Sequence, residues 1–136
     1  MKKVDLLLLG LLIIFYALVL TGTLKTASVE GVSMYPIFQN GYLVFYSKPT
    51  SIHPGTIVIY FNGKNYVIHE VVSVSNGYFI TKGVNPYTNN LPDNVLGIGP
   101  SNGITLGDII GQVASVNGNY YFAIPYLGYL SIFFSG

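Results

Sequence analysis

The chain has 136 residues, enough for one compact domain plus an anchor. Its charged fraction is 8%, against roughly 25% in a typical soluble domain, so much of it belongs in an apolar setting. A net charge of +1 without arginine or a basic cluster after Lys3 argues against nucleic-acid binding, and the absence of cysteine excludes a disulfide frame, thiolate catalysis and Cys-built zinc.

The first element is Leu6 to Leu24, 19 residues without a charge. A helix needs about 20 mostly apolar residues to cross a bilayer core of about 30 Å. Lys2 and Lys3 before it favour a cytoplasmic N-terminus, and Lys25 beyond it weakens that bias. The other reading is a cleaved signal peptide. The run exceeds the roughly 7–15 residues of a signal-peptide apolar region, and "TLKTASVEG" offers no clean small-x-small cleavage site. Residues 1–25 are therefore expected to be a retained transmembrane anchor, and residues 26–136 a β-rich domain on the extracytoplasmic side of the cell membrane, with the lipid bilayer as one partner.

Beyond the anchor, residues 41–47, 55–62, 66–75, 77–82 and 108–116 are β-branched or aromatic runs bounded by Gly, Pro or Asn, and read as strands. Residues 61–65 and 75–77 read as hairpin turns. Residues 83–103 are irregular and hold three of the seven prolines; a loop of that length in a small domain is usually functional or mobile. The apolar, aromatic tail 120–134 is too short, and too broken by Pro125 and Gly128, for a second span. Its aromatics fit either the bilayer interface, the preferred reading, or a pair of core strands. The fold class is mainly β with one N-terminal transmembrane helix.

A serine attacks a carbonyl only when a base takes its proton. Ser33, in "VEGVSMYP", follows the anchor closely. Only two histidines are present, too few for a His-rich metal site. His53 precedes Pro54 in a turn and reads as solvated. His69 sits in "YVIHEVV" among apolar residues, where its ring needs a partner. Lone strand histidines are more often structural than catalytic. A base also needs a carboxylate to hold its tautomer. Glu70 follows His69 in a strand and points to the opposite face. Glu30 is close to Ser33 in sequence, and Asp108 reads as a turn residue. Asp93, in "NLPDN", remains, although an Asp after Pro is also an ordinary turn residue. A Ser-Lys pair using Lys82 or Lys64, and a non-catalytic, membrane-tethered β domain that binds a protein partner, stay open.

"SMYP" (33–36), "PGTIV" (54–58), "VIHEVV" (67–72), "FITKG" (79–83) and "IPYLGYL" (124–130) follow one another behind the apolar segment. In this order they resemble type I signal peptidases of the archaeal and endoplasmic-reticulum branch, in which histidine stands where bacterial enzymes have lysine. The resemblance covers Val29 to about Leu130. It implies a signal-peptidase-like β domain and a membrane-bound serine endopeptidase without cofactor or metal. Its substrates would be signal peptides of secretory preproteins, bound as an added strand, and association with the secretion machinery stays open. Ser33 matches the nucleophile and His69 the general base. Asp93 matches the aspartate that orients the histidine, displaced by a slightly longer loop. Val84 stands where relatives have an earlier Asp, Tyr42 and Thr56 where they often have Asp, and Gly31-Val32 where they often have Ser-Gly. Gly31 cannot give the side-chain oxyanion donor that bacterial relatives draw from that serine.

Overall fold

The structure, a computed structural model, describes residues 2–116 and 120–130. It is mainly antiparallel β sheet with one N-terminal apolar helix. Helix α1 (Lys3–Leu20) has 18 residues, so it is about 27 Å long, near the bilayer core thickness of about 30 Å. Among the described residues it is the one helix long and apolar enough to cross a membrane. It stops four residues short of the apolar run's end. The Thr21 hydroxyl turns back onto the Ala17 carbonyl at 2.8 Å, and Gly22 takes a positive φ of 75°.

Strand β1 (Lys25–Ser28), which the sequence pattern does not announce, begins directly after this break. It pairs with β2 (Leu43–Ser47). β3 (Ile57–Phe61) and β4 (Tyr66–Ser75) form a hairpin, and β4 continues into β5 (Tyr78–Lys82). Both turns fall where the sequence places them. Asn62 accepts from the Lys64 and Asn65 amides at 2.9 and 2.7 Å, and Asn76 and Gly77 both have positive φ, as a tight two-residue hairpin requires. A short helix α2 (Asp93–Leu96) interrupts the irregular segment, and a 3₁₀ turn (Leu106–Asp108) leads into β6 (Ile109–Val113). The run 108–116 is two strands, because after Ala114 the chain leaves β6 as β7 (Ser115–Val116), which pairs with β8 (Tyr120–Tyr121). β9 (Ala123–Ile124) returns to β2. The main sheet runs β1-β2-β6-β3-β4-β5, with β9 added to β2.

β3 lies inside this order and is buried on both faces. Ile57 and Ile59 join Val29, Met34, Phe38, Val44 and Val113 in one cluster, and Val58 and Tyr60 join Val71, Ile104 and Ile109 in another. That is why "IVIYF" reads as a continuous apolar run rather than an alternating one. In the tail, β8 and β9 are short strands on either side of Phe122, while Phe122 and Tyr126 stay exposed; residues 131–134 of that reading lie outside the described residues. Phe122, Phe45 and Ala114 line an apolar groove against Leu11, Phe15 and Leu18 of α1, and the Phe15 and Phe45 rings meet edge to face at 5.5 Å. One rim of the β domain thus lies level with the last turns of α1 rather than beyond its end.

Candidate functional site

Ser33 sits in the loop between β1 and β2. The loop's ends are tied by the Val29 amide on the Tyr42 carbonyl and the Gly41 amide on the Val29 carbonyl, both 2.9 Å. Met34 and Phe38 sink into the first core cluster, each 1% exposed, and fix the segment that carries the serine. Asn85 holds the same segment from outside: its amide donates to the Ser33 carbonyl at 2.9 Å and its Nδ2 to the Val32 carbonyl at 2.8 Å. Among the described residues, neither the Ser33 amide nor its Oγ has a hydrogen-bond partner.

His69 comes from β4. It stands opposite Val58 of β3, on the strand face that also carries Val67 and Val71. Thr81 of β5 lies opposite Val71, and Tyr60 of β3 opposite Val67, so three strands turn Tyr60, His69 and Thr81 to one side. Asp93, the first residue of α2, is set over them and is 1% exposed. Its Oδ2 lies 2.7 Å from His69 Nδ1 and accepts the Thr81 hydroxyl at 2.6 Å and the Tyr60 hydroxyl at 2.8 Å. Two hydroxyls donate to this oxygen, and a carboxylate only accepts, so with Asp93 ionised the proton of a neutral His69 sits on Nδ1 and Nε2 keeps its lone pair. Burial first, and the Asp93 charge beside it, push the Tyr60 phenol well above its ordinary value of 10.0, partly offset by the Thr81 hydroxyl. Tyr60 therefore stays a neutral donor. Asp93 Oδ1 is buried without a partner among the described residues.

Ser33 and His69 line one open cavity of about 560 Å³, within the usual range for a ligand site. Ser28, Val29 and Glu30, Asn65 of the β3–β4 turn, Tyr66 to Ile68 of β4, Asn89 and Ile98 also line it. β5 pairs with β4 only from Glu70 onward, so the Tyr66–Ile68 stretch of β4 keeps one edge open beside the cavity.

The other candidates sit elsewhere. Glu70 lies opposite Lys82 on the β4–β5 pair; burial raises its carboxyl, and the lysine charge partly offsets this. Lys64 is exposed in the β3–β4 turn, and neither lysine lines the cavity. Asp108 caps its own 3₁₀ turn by accepting from the Thr105 amide and hydroxyl at 2.9 and 3.1 Å. His53 is exposed, its Nδ1 3.0 Å from the Pro54 carbonyl oxygen. Glu30 lines the same cavity but makes no hydrogen bond or ion pair with His69.

Tyr60, Thr81, Asn85 and Asn89 are site residues that the sequence reading did not single out. Tyr60 carried a signal: a tyrosine inside a strand apolar on both faces must find a partner for its hydroxyl. The asparagines carried none beyond their place in a long loop. No protein-family model and no curated protein matches this chain.

Proposed function

We propose that the protein is a membrane-bound serine endopeptidase of the signal-peptidase kind, removing signal peptides from secretory preproteins. The observation that carries this reading is the buried His69–Asp93 pair at 2.7 Å, facing the cavity that Ser33 also lines. An orienting carboxylate on Nδ1 and a free Nε2 are what a histidine base needs. Ser33 Oγ attacks the scissile carbonyl and passes its proton to Nε2. The imidazolium, held by Asp93, then protonates the leaving amine. Water hydrolyses the acyl enzyme by the same exchange in reverse. The Ser33–His69 hydrogen bond closes on substrate binding, as such contacts commonly tighten in the substrate complex.

The open β4 edge at Tyr66–Ile68 supports binding of an extended peptide by strand addition. The apolar rim at Phe45 and Phe122, level with the end of α1, supports a site held against the bilayer surface where a signal peptide emerges. α1 then spans the membrane with its N-terminus cytoplasmic, and the β domain lies outside.

The test is cleavage of a preprotein in detergent or lipid, together with labelling by an active-site serine probe. Wild type is expected to cleave and to be labelled at Ser33. Ser33→Ala and His69→Ala are expected to abolish cleavage while keeping the fold. Folded wild type that neither cleaves nor takes label would leave a membrane-tethered binding domain as the better reading.

A further inference from the structure

Asn89 is one of the most enclosed polar side chains of the domain, 4% exposed, and it lines the cavity that Ser33 and His69 share. Its Oδ1 accepts the Thr88 hydroxyl at 2.7 Å, and its backbone amide donates to the Asn85 carbonyl at 2.8 Å. The first bond ties the carboxamide oxygen and the second the backbone that carries it; neither uses the two Nδ2 hydrogens, and Nδ2 has no partner among the described residues. The carboxamide also lies close to the nucleophile's segment. A methyl group on Gly83 would stand 2.7 Å from Asn89 Nδ2 and 2.8 Å from the Ser33 carbonyl oxygen. Gly83 is thus the residue that lets the asparagine and the serine loop approach each other. An enclosed amide with its oxygen tied and its N–H groups open to the cavity is a donor without an acceptor.

We infer that Asn89 Nδ2 donates to the oxyanion of the tetrahedral intermediate, as second donor beside the unpartnered Ser33 amide. This rests on the serine-peptidase reading of the site. When Ser33 Oγ bonds to the scissile carbon, the carbonyl π pair moves onto oxygen while the Oγ proton passes to His69. Asn89 meets the charge that appears there. When the C–N bond breaks, the pair returns and the hydrogen bond weakens. The role fills the gap left by Gly31, which has no side chain to donate.

The experiment measures kcat and KM for preprotein cleavage by wild type, Asn89→Ala and the near-isosteric Asn89→Asp. It also measures affinity for a peptide aldehyde, which forms a tetrahedral adduct with Ser33. Affinity for the uncleaved peptide is measured in a Ser33→Ala background. Loss of one oxyanion donor lowers kcat by about 10²–10³. That fall is expected in both variants, with KM within about twofold, aldehyde affinity falling about as far as kcat, and peptide affinity unchanged, in the manner of an interaction made only in the transition state. Aldehyde and peptide affinity falling together would make Asn89 a packing or binding residue and overturn the inference. So would kcat unchanged in a folded variant. Wild type that neither cleaves nor takes a serine probe would bring down the peptidase reading and this inference with it. Active wild type with unaffected variants would bring down this inference alone.

Discussion

Replacing Asp93 by Asn tests the centre of the site with the smallest change of shape. Three donors meet on Oδ2, from His69, Thr81 and Tyr60. An asparagine can offer one oxygen to that point, and its amide nitrogen then occupies the place of Oδ1, which has no described partner. Each charge-assisted bond contributes about 1.5–3 kcal/mol and a neutral one about half as much, so the bonding loss is about 3 kcal/mol in total. Relief from burying a charge, itself several kcal/mol, offsets much of it. A net loss of about 1–2 kcal/mol leaves a domain with ordinary stability of about 5–15 kcal/mol folded.

The effect on turnover is far larger. If the amide oxygen faces His69, the imidazolium loses its counter-charge. If the NH₂ faces it, the proton moves to Nε2 and the base is gone. Misplacing this partner in a well-characterised serine protease lowers kcat by about 10⁴, or roughly 5–6 kcal/mol on the barrier. The assay is initial preprotein cleavage in detergent, with thermal unfolding followed on the same samples. Asp108→Asn serves as control, because Asp108 only caps its own turn. Asp93→Asn cleaving within tenfold of wild type while folded would refute the assignment and leave His69 oriented by something else.

Tyr60→Phe removes one donor from Asp93 and is expected to cost about 1.5–3 kcal/mol at neutral pH by denaturant unfolding. Because the folded phenol is raised above 10.0, wild-type stability from this group is complete below that value and is lost as pH climbs toward the folded value. The gap between wild type and Tyr60→Phe should therefore narrow above pH 10, and a constant gap would show that Tyr60 is not held as a neutral donor. Lys64→Met and Lys82→Met should each keep at least half of the cleavage rate; loss of activity in either, with the fold intact, would move the base to that lysine. Mass spectrometry of the membrane-bound protein should find residues 1–25 still attached, and a mature chain starting near Ala27 would show a cleaved leader instead.

Period and apolarity made the strands around His69 readable, because β3 to β5 are local hairpins whose turns carry Asn and Gly in the required places. Asp93 could be singled out by elimination, since so few acids were available. Less legible was whatever depends on contacts distant in sequence. β1 follows α1 without any turn residue except Gly22, and its strand character comes from pairing with β2. Tyr60 and Thr81 lie 33 and 12 residues from Asp93, and only the sheet brings them to it. The short helix that carries Asp93 gains its end from Gly97 in the left-handed region, in a stretch whose prolines read as irregular.

Val84 changes meaning once the loop is seen. In the sequence it stands where the resembled enzymes have an earlier aspartate. In the structure its side chain packs against the first core cluster, and Asn85 beside it holds the Val32 and Ser33 carbonyls. Asn85, Asn89 and Asp93 then follow at intervals of four. The first holds the serine loop, the second lines the cavity and the third holds His69. The Asn89 amide bonded to the Asn85 carbonyl sets the first interval, and Asp93 opening α2 fixes where the last one falls. The serine loop and the histidine strand are not paired directly; this segment ties them together alongside the core contacts of Met34 and Phe38 with Ile57 and Ile59 of β3. Asn85, beside Val84, thus ties the serine loop, and the carboxylate that meets His69 is Asp93, held by donors from β3, β4 and β5.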